Sequence, residues 1–328
     1  MLWHILGELS LEKIYRISEF KGKIHNPVVT LGVFDGVHRG HQKIIEYTKS
    51  LASKKSGDSV IITFDVHPRV LLENKTPFFI TSLSHRLVLF ERLGVDYTLI
   101  LPFNDSLAQT NAKDFIENIL VKELDSKCIV LGFNCHFGKN RSGNIKLVKE
   151  LAGKYHYEAH ECPPETYKGQ VISSTVIRKA IQEGALEKAE AMLGRPVSVL
   201  GTVVRKSGRG VTMGYPTANL DLHHEIRPPQ GVYATKVCWK EREYLALTNI
   251  GSRPTFFKES LSSEDETMEI ETHILDFHES IYGKNLEVQF LFRIRDEIPF
   301  GSIEALKQQI EKDKEMLLKK MLSGALTK

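Results

Sequence analysis

The chain has 328 residues, enough for about two domains that can each bury a core of their own. Apolar residues make up 41% and charged residues 26%, which argues against collagen-like, extensively disordered and membrane-bundle classes. Lys plus Arg (44) against Asp plus Glu (41) leaves a net charge of +3, too small a basic excess to argue for a dedicated nucleic-acid surface.

Taken in chain order, the first half alternates short apolar runs with helical patterns. VVTLGVF (28–34), SVIITF (59–64), DYTLILPF (96–103), KCIVLGF (127–133) and YHYEAHEC (155–162) are rich in β-branched or aromatic residues and predict strands. A helix is predicted over 41–54, where Ile44, Ile45, Thr48 and Leu51 form one stripe. Another is predicted over 112–124, behind the N-cap Asn111 with Asp114 three residues on. Strand and helix in alternation imply a mostly parallel sheet covered on both faces. The texture changes between Gly184 and Pro196. A helix at 174–183 stops at Gly184, and ALEKAEAML stops at Gly194 with Pro196 just beyond. From about 197 the runs SVLGTVV, GVYATKVCW, EYLALTNI, MEIETHILDF and NLEVQFLFRI predict a small barrel or sandwich. An amphipathic helix follows Ser302. The division drawn on these signals is 1–186 and 187–328.

Cys128, Cys135, Cys162 and Cys238 form no CxxC pair, so a reducing cytoplasm is the expected compartment. The N-terminal residues lack the pattern of a secretory leader, and no uncharged apolar stretch reaches ~18 residues, so no membrane span is expected.

The strand at 28–34 runs into Gly32-Val33-Phe34-Asp35-Gly36-Val37-His38-Arg39-Gly40-His41 and then a helix. In open α/β sheets ligands bind at the carboxyl ends of strands, and a helix N-terminus suits phosphate. His38 and His41, three apart, can both reach one anion from the first turn, and Gly36 and Gly40 allow close backbone approach. The competing reading is a turn with two exposed histidines. Ser173-Ser174-Thr175 with Arg178 opens a later helix and could be a second anion site or simply a capped helix start. No P-loop is present, since Gly138 to Gly143 is followed by Asn144.

In the second half, Gly214-Tyr215-Pro216-Thr217-Ala218-Asn219 read as extended puts Thr217 and Asn219 on one side, where a hydroxyl and an amide oxygen could ligate Mg²⁺. Gly208 and Gly210 upstream suit close approach of a phosphate. In 268–274, Met268, Ile270 and Ile274 share one face and Glu269, Glu271 and His273 the other. Glu271 could accept a proton from a substrate hydroxyl, or the face could simply be solvated. His156, His160 and Cys162 share strand parity, but no fourth ligand has metal-site spacing, and an ordinary mixed strand is the better reading.

The HxGH run resembles the signature of nucleotidyltransferases. Together with TFDVHP (63–68), GFNCHFG (132–138) and ISSTVIR (172–178), it is similar to the N-terminal adenylyltransferase module of prokaryotic bifunctional riboflavin kinase/FAD synthetases. Val66 and Cys135 stand where that family has proline and phenylalanine. MGYPTANL, PPQGVYA, TNIGSRPTF and ETHILDFHESIYGKNLEVQFLFRIRDE resemble the riboflavin kinase module, with Lys206 in place of a loop glycine. The resemblance implies a Rossmann-like HxGH domain followed by a small β-barrel with a C-terminal helix. It implies ATP as co-substrate, Mg²⁺ as cofactor, and riboflavin, FMN and FAD as ligands. Nucleic acid and membrane are not among the expected partners. His38, His41 and Arg178 would be catalytic in adenylyl transfer. Gly32, Phe34, Asp35, Gly36, Gly40, Asn134, Ser173, Ser174 and Thr175 would bind nucleotide there. In the kinase, Glu271 would be the base, Thr217 and Asn219 would hold Mg²⁺ and phosphates, and Gly208, Gly210, Gly214 and Pro216 would complete the site. Two other readings stand beside this one: a riboflavin kinase whose N-terminal domain is only structural, and a non-catalytic flavin-sensing protein.

Overall fold

The computed structural model describes residues 14–15, 23–66, 78–205, 214–240, 242–252 and 268–323. His67, Pro68, Lys206, Gly208 and Gly210 lie outside the described residues. The chain forms two compact units. One runs up to Ile177 and includes Met192–Gly194; the other takes Arg178–Ala191 and everything from Arg195 onward.

The first unit is built on a parallel sheet: β1 (Ile14–Tyr15), β2 (Val28–Leu31), β3 (Ser59–Phe64), β4 (Tyr97–Leu101), β5 (Cys128–Gly132) and β6 (Glu158–Cys162). Its order is β1-β4-β3-β2-β5-β6, with every pairing parallel. Residues of both parities in β2, β3 and β5 are buried, as expected where helices cover both faces. From β2 the chain builds outward through β3 and β4 on one side, then returns to lay β5 and β6 on the other. The order therefore reverses between β2 and β5, where the strand ends leave a crevice.

Between the strands lie α1 (Arg39–Lys54), α2 (Leu83–Arg92), α3 (Asp105–Gln109), α4 (Ala112–Asp114) and α5 (Ile145–Tyr155). The stripe Ile45, Thr48, Leu51 and Ala52 buries α1, whereas Ile44 is only half-buried. Asn111 caps α4 as predicted, its Oδ1 accepting from the Asp114 N–H at 2.8 Å. The helix then widens into a π-helix over Phe115–Glu123, which the sequence pattern does not distinguish from an ordinary helix. The predicted strand at 155–162 begins only at Glu158. Tyr155 ends α5, capped by His156 in the left-handed conformation (φ 59°). His156 therefore does not share a strand face with His160 and Cys162. Helix α5 starts at Asn144, whose Oδ1 accepts from the Lys146 and Leu147 N–H groups.

After β6 a small hairpin, β7 (Thr166–Tyr167) and β8 (Gln170–Val171), turns on Lys168 and Gly169, both at positive φ, as a tight two-residue hairpin requires. It leads into α6 (Ser174–Gln182) and α7 (Leu186–Leu193). Gly184 and Gly194 sit at positive φ at the predicted helix stops.

The second unit is a closed antiparallel barrel of β9 (Val197–Val204), β10 (Ala218–Asp221), β11 (Gly231–Trp239), β12 (Arg242–Ser252), β13 (Met268–Ile274) and β14 (Asn285–Arg295), in the order β10-β13-β12-β11-β14-β9. Closure comes from β9 pairing with both β10 and β14. Inside, Thr235, Thr248 and Thr272 are fully buried and satisfy one another: Thr235 Oγ1 to Thr248 Oγ1 is 2.8 Å and Thr248 Oγ1 to Thr272 Oγ1 is 3.0 Å. Thr235 also donates to the Ala246 carbonyl. The last helix, α8 (Ile303–Leu322), is capped by Ser302 and packs Leu317 against Ala234, Leu247 and Phe292. Arg295 grips the buried Asp313 through Nε (3.1 and 3.0 Å) and a second guanidinium nitrogen (2.9 Å). Among the described residues no helix is long and apolar enough to cross a membrane.

Candidate active sites

The first candidate site lies at the β2/β5 switch point. His38 is the N-cap of α1 in extended backbone, and its Nδ1 accepts a long (3.4 Å) bond from the His41 N–H. The two imidazoles stack with ring centres 3.6 Å apart. Gly40 leaves room beside this stack, since a Cβ there would lie 3.2 Å from two atoms of the His38 ring, a tight contact. Phe34 backs the pair, meeting His41 edge-on at 5.2 Å and Phe90 at 5.7 Å.

Below the histidines, Asp35 is buried, and its Oδ1 accepts from the Ile80 and Thr81 N–H groups at 2.9 and 3.1 Å. The Gly36 N–H donates to Thr81 Oγ1, and Gly36 has φ 83° where a Cβ would lie 2.9 Å from Ile80. Ser174 Oγ donates to the Asp35 carbonyl at 2.9 Å, tying the start of α6 to the HxGH loop. Ser173 caps α6 by accepting from the Val176 N–H. The capped-helix reading of SSTxxR therefore holds for Ser173, and the same segment also faces the site.

These pieces enclose a cleft of about 240 Å³ lined by His38, Gly40, His41, Asn134, Glu165 and the Ser173–Thr175 segment, among others. Gly32, Phe34, Asp35 and Gly36 are not among the lining residues and act from behind the wall. Arg178 lies one turn past Ser174 on α6, half-buried, and is not among the lining residues. Sequence reasoning missed Phe133, which is 42% exposed and lines the cleft beside Asn134. Its neighbour Cys135 packs against the core with its thiol toward the Leu31 carbonyl. Burial pushes that thiol up to about 12. The signal for Phe133 was an aromatic immediately after a buried strand.

Glu165 was also missed. It follows two prolines at the end of β6, and it holds Arg39 at 2.8 Å and Lys43 at 3.2 Å from its two oxygens. Farther along the same side of α1, Cys128, Glu158 and His160 bring ligand atoms within 4.8 Å of one another. Both imidazole nitrogens of His160 already have partners, Tyr47 Oη at 3.0 Å and Glu158 at 3.3 Å, and Lys55 holds the other Glu158 oxygen at 2.5 Å.

The second candidate site lies on β10, β12 and β13. Cross-strand register sets Asn219 opposite Glu271 and Glu271 opposite Asn249, so the three are neighbours on one face. Asn219 is buried and its Oδ1 has no hydrogen-bond partner among the described residues, a costly arrangement that a bound cation would relieve. Thr217 is half-buried two residues before it, at the same parity. Glu271 is half-buried, opposite in parity to the core residues Ile270, Thr272 and Ile274. The GYPTAN segment is pinned at Tyr215 and Pro216. His273 Nδ1 donates to the Pro216 carbonyl at 2.9 Å, and Tyr215 stacks edge-on against His273. Tyr215 Oη donates to Glu311 of α8 at 2.7 Å, and this carboxylate raises the phenol pKa. Gly214 has φ 83° at the head of the segment, and Pro216 is exposed. Asn249 is the residue missed here. Its Nδ2 donates to Glu297 at 3.1 Å, and its buried Oδ1 has no hydrogen-bond partner among the described residues.

The comparisons with known proteins find two family models along the chain. A family described as FAD synthetase matches residues 21–176, and one described as riboflavin kinase matches residues 193–321. The chain is 36% identical over 312 residues to the bifunctional riboflavin kinase/FMN adenylyltransferase of Buchnera aphidicola subsp. Schizaphis graminum, covering 94% of this chain and 98% of that one. It is 37% identical to the protein of the same name from Bacillus subtilis, covering 88% and 90%. A solved structure from Streptococcus pneumoniae, named a macrolide-efflux protein, matches with a TM-score of 0.76 at 32% identity, covering 93% of this chain and 98% of that one. That name stands apart from those of the curated relatives; the likeness itself is one of sequence and fold over nearly the whole of both chains. With both domain models in tandem and relatives matched over almost their full length, the chain belongs to the bifunctional riboflavin kinase/FMN adenylyltransferase family.

Proposed function

We propose that the two sites carry successive steps of flavin cofactor synthesis, divided as 1–186 for adenylyl transfer and 187–328 for phosphorylation. In the barrel, Glu271 accepts the proton of the ribityl 5′-hydroxyl of riboflavin. That oxygen forms a bond to the γ-phosphorus of ATP as the bridging β–γ P–O bond breaks, giving FMN and ADP. Thr217 and Asn219 are the residues that would hold Mg²⁺, and the buried Asn219 amide oxygen, without a hydrogen-bond partner among the described residues, supports this donor set. The ion supplies neutralisation of phosphate charge when bound. His273 and Tyr215 keep the GYPTAN segment in place, so positioning is supplied by the chain itself.

In the cleft of the first unit, a phosphate oxygen of FMN attacks the α-phosphorus of a second ATP. The α–β P–O bond breaks and pyrophosphate leaves, with no enzyme nucleophile. His38 and His41 donate to the triphosphate and the leaving pyrophosphate, with the N-terminus of α1 behind them. Arg178 is assigned to the same charge, and Asn134 and Thr175 to the substrates. Phe133 offers a face for a planar ring. The observation that carries this reading is that His38, His41, Asn134 and the Ser173–Thr175 segment, from three distant stretches of chain, line one cleft. Cys128, Cys135, Cys162 and Cys238 form no disulfide, which suits a reducing compartment and cytoplasmic synthesis.

The test is to incubate the protein with riboflavin, ATP and Mg²⁺ and resolve the flavins chromatographically. Both FMN and FAD are expected. FMN alone would leave the first unit structural, and unchanged riboflavin would make the chain a flavin binder. Glu271→Gln is expected to lower FMN formation by at least ~10²-fold, while FAD formation from supplied FMN persists. Loss of both activities in a folded variant contradicts two independent sites.

A further inference from the structure

The cleft assigned to a polyphosphate contains a carboxylate. Glu165 lines it, and the Glu165 Cβ lies 3.8 Å from the Cβ position of Gly40, over the first turn of α1. That turn is where a helix attracts anions. Its two oxygens bind Arg39 at 2.8 Å and Lys43 at 3.2 Å, cations one helical turn apart that adjoin the lining residues Gly40 and Ile44 in sequence without being among the lining residues themselves. The carboxylate thus holds, through side chains of α1, two cations that a phosphate group would also attract.

The backbone holds Glu165 in this place. Pro163 and Pro164 restrict the chain as it leaves β6. The Glu165 carbonyl accepts from the Ile172 N–H at 2.9 Å, closing the base of the β7–β8 hairpin. One strand of that base continues directly into Ser173-Ser174-Thr175 on the opposite cleft wall. The ion pairs are only half-buried, with side-chain exposure of 41% for each cation and 24% for Glu165, so each is weak enough for a phosphate to displace.

We propose that Glu165 is a positioning residue that competes with pyrophosphate for Arg39 and Lys43, and so speeds discharge of the leaving group from the adenylyl-transfer site. The proposal rests on the adenylyl-transfer reading of the cleft. When polyphosphate binds, the carboxylate yields the two cations. When the α–β bond has broken, it reclaims them, so the product has an intramolecular rival that is never diluted.

The experiment uses the full chain with Glu165→Gln and Glu165→Asp. Pyrophosphate binding is measured by titration calorimetry, and FAD formation from FMN and ATP by steady-state kinetics. Glu165→Gln should tighten pyrophosphate binding and product inhibition by roughly three- to tenfold and lower both KM for ATP and kcat. The gain should shrink with added salt. Glu165→Asp, which keeps the charge, should stay near the parent protein. Weaker or unchanged pyrophosphate binding in a Glu165→Gln variant that still phosphorylates riboflavin would overturn the proposal, because a carboxylate that merely orients the cations gives that result. Failure of the underlying reading looks different: the unsubstituted protein then makes no FAD from FMN.

Discussion

At the scale of single residues, the proposed adenylyl-transfer site depends on atoms that are missing as much as on those present. Gly40 is helical and needs no special backbone; what it supplies is room for the His38 ring. Gly40→Ala should therefore shift that ring relative to His41. The expected result is a fall of roughly tenfold or more in FAD formation from FMN, with riboflavin phosphorylation unchanged, read in parallel assays on one preparation. Asp35 and Phe34 show why a motif and a binding surface are not the same set. Both belong to the recognisable run after β2, yet one clamps the 80–81 backbone and the other supports His41 from behind. Phe133 and Cys135 show the converse. The position where the family has an aromatic holds Cys135, turned to the core, while Phe133 presents its ring to the cleft. Side-chain direction after a strand depends on the local turn, which residue type alone does not determine.

At the scale of elements, periodicity identified strands and helices where one face differs from the other. Helix α1 shows its stripe plainly. Helix α2 does not, because the consecutive residues His85 to Phe90 are all buried, so no polar face marks the period. Arg86 is buried there because its guanidinium reaches the Val33 and Phe64 carbonyls and Thr63 Oγ1 at the ends of β2 and β3. The threonine ladder of the barrel is a second feature hidden from sequence, since Thr235, Thr248 and Thr272 come from three strands. Thr248→Val should leave its two partners short of a bond and lower stability by about 1–3 kcal/mol. Replacing all three with valine should cost less than the single change would suggest, because the matching donors and acceptors are then removed together. Thermal or urea denaturation of the two variants provides the comparison.

At the scale of the whole molecule, buried acids set the response to alkali. Burial pushes the thiols of Cys128 and Cys135 and the phenol of Tyr157 up to about 12. Unfolding returns these groups toward ordinary values of ~8.5 and ~10. Above about pH 8.5 the unfolded chain therefore holds fewer protons than the folded one, and stability falls as pH rises. Their contribution is complete below that pH and is lost progressively toward pH 12. Urea midpoints should accordingly drop between pH 8 and pH 10.5, and Cys135→Ala should make the drop shallower. At the acid end, Glu158 is held below the usual range first by its hydrogen bond to Lys55, so that contribution is lost as pH falls below about 4.5.

The linear chain on its own determined the order of the two domain types, the strand-then-HxGH junction, the helix stops at Gly184 and Gly194 and the residues of the PTAN segment. All are local: they depend on turn chemistry, capping and alternation within a few residues. Tertiary structure alone decided that β5 returns beside β2, so that Asn134 and Phe133 face the histidines across a strand-order reversal. It also decided that Asn219, Glu271 and Asn249 stand side by side, and that Glu165 reaches over the first turn of α1. Register and crossover bring together residues tens to more than a hundred positions apart, and those pairings come from burying both faces of a sheet and closing a barrel.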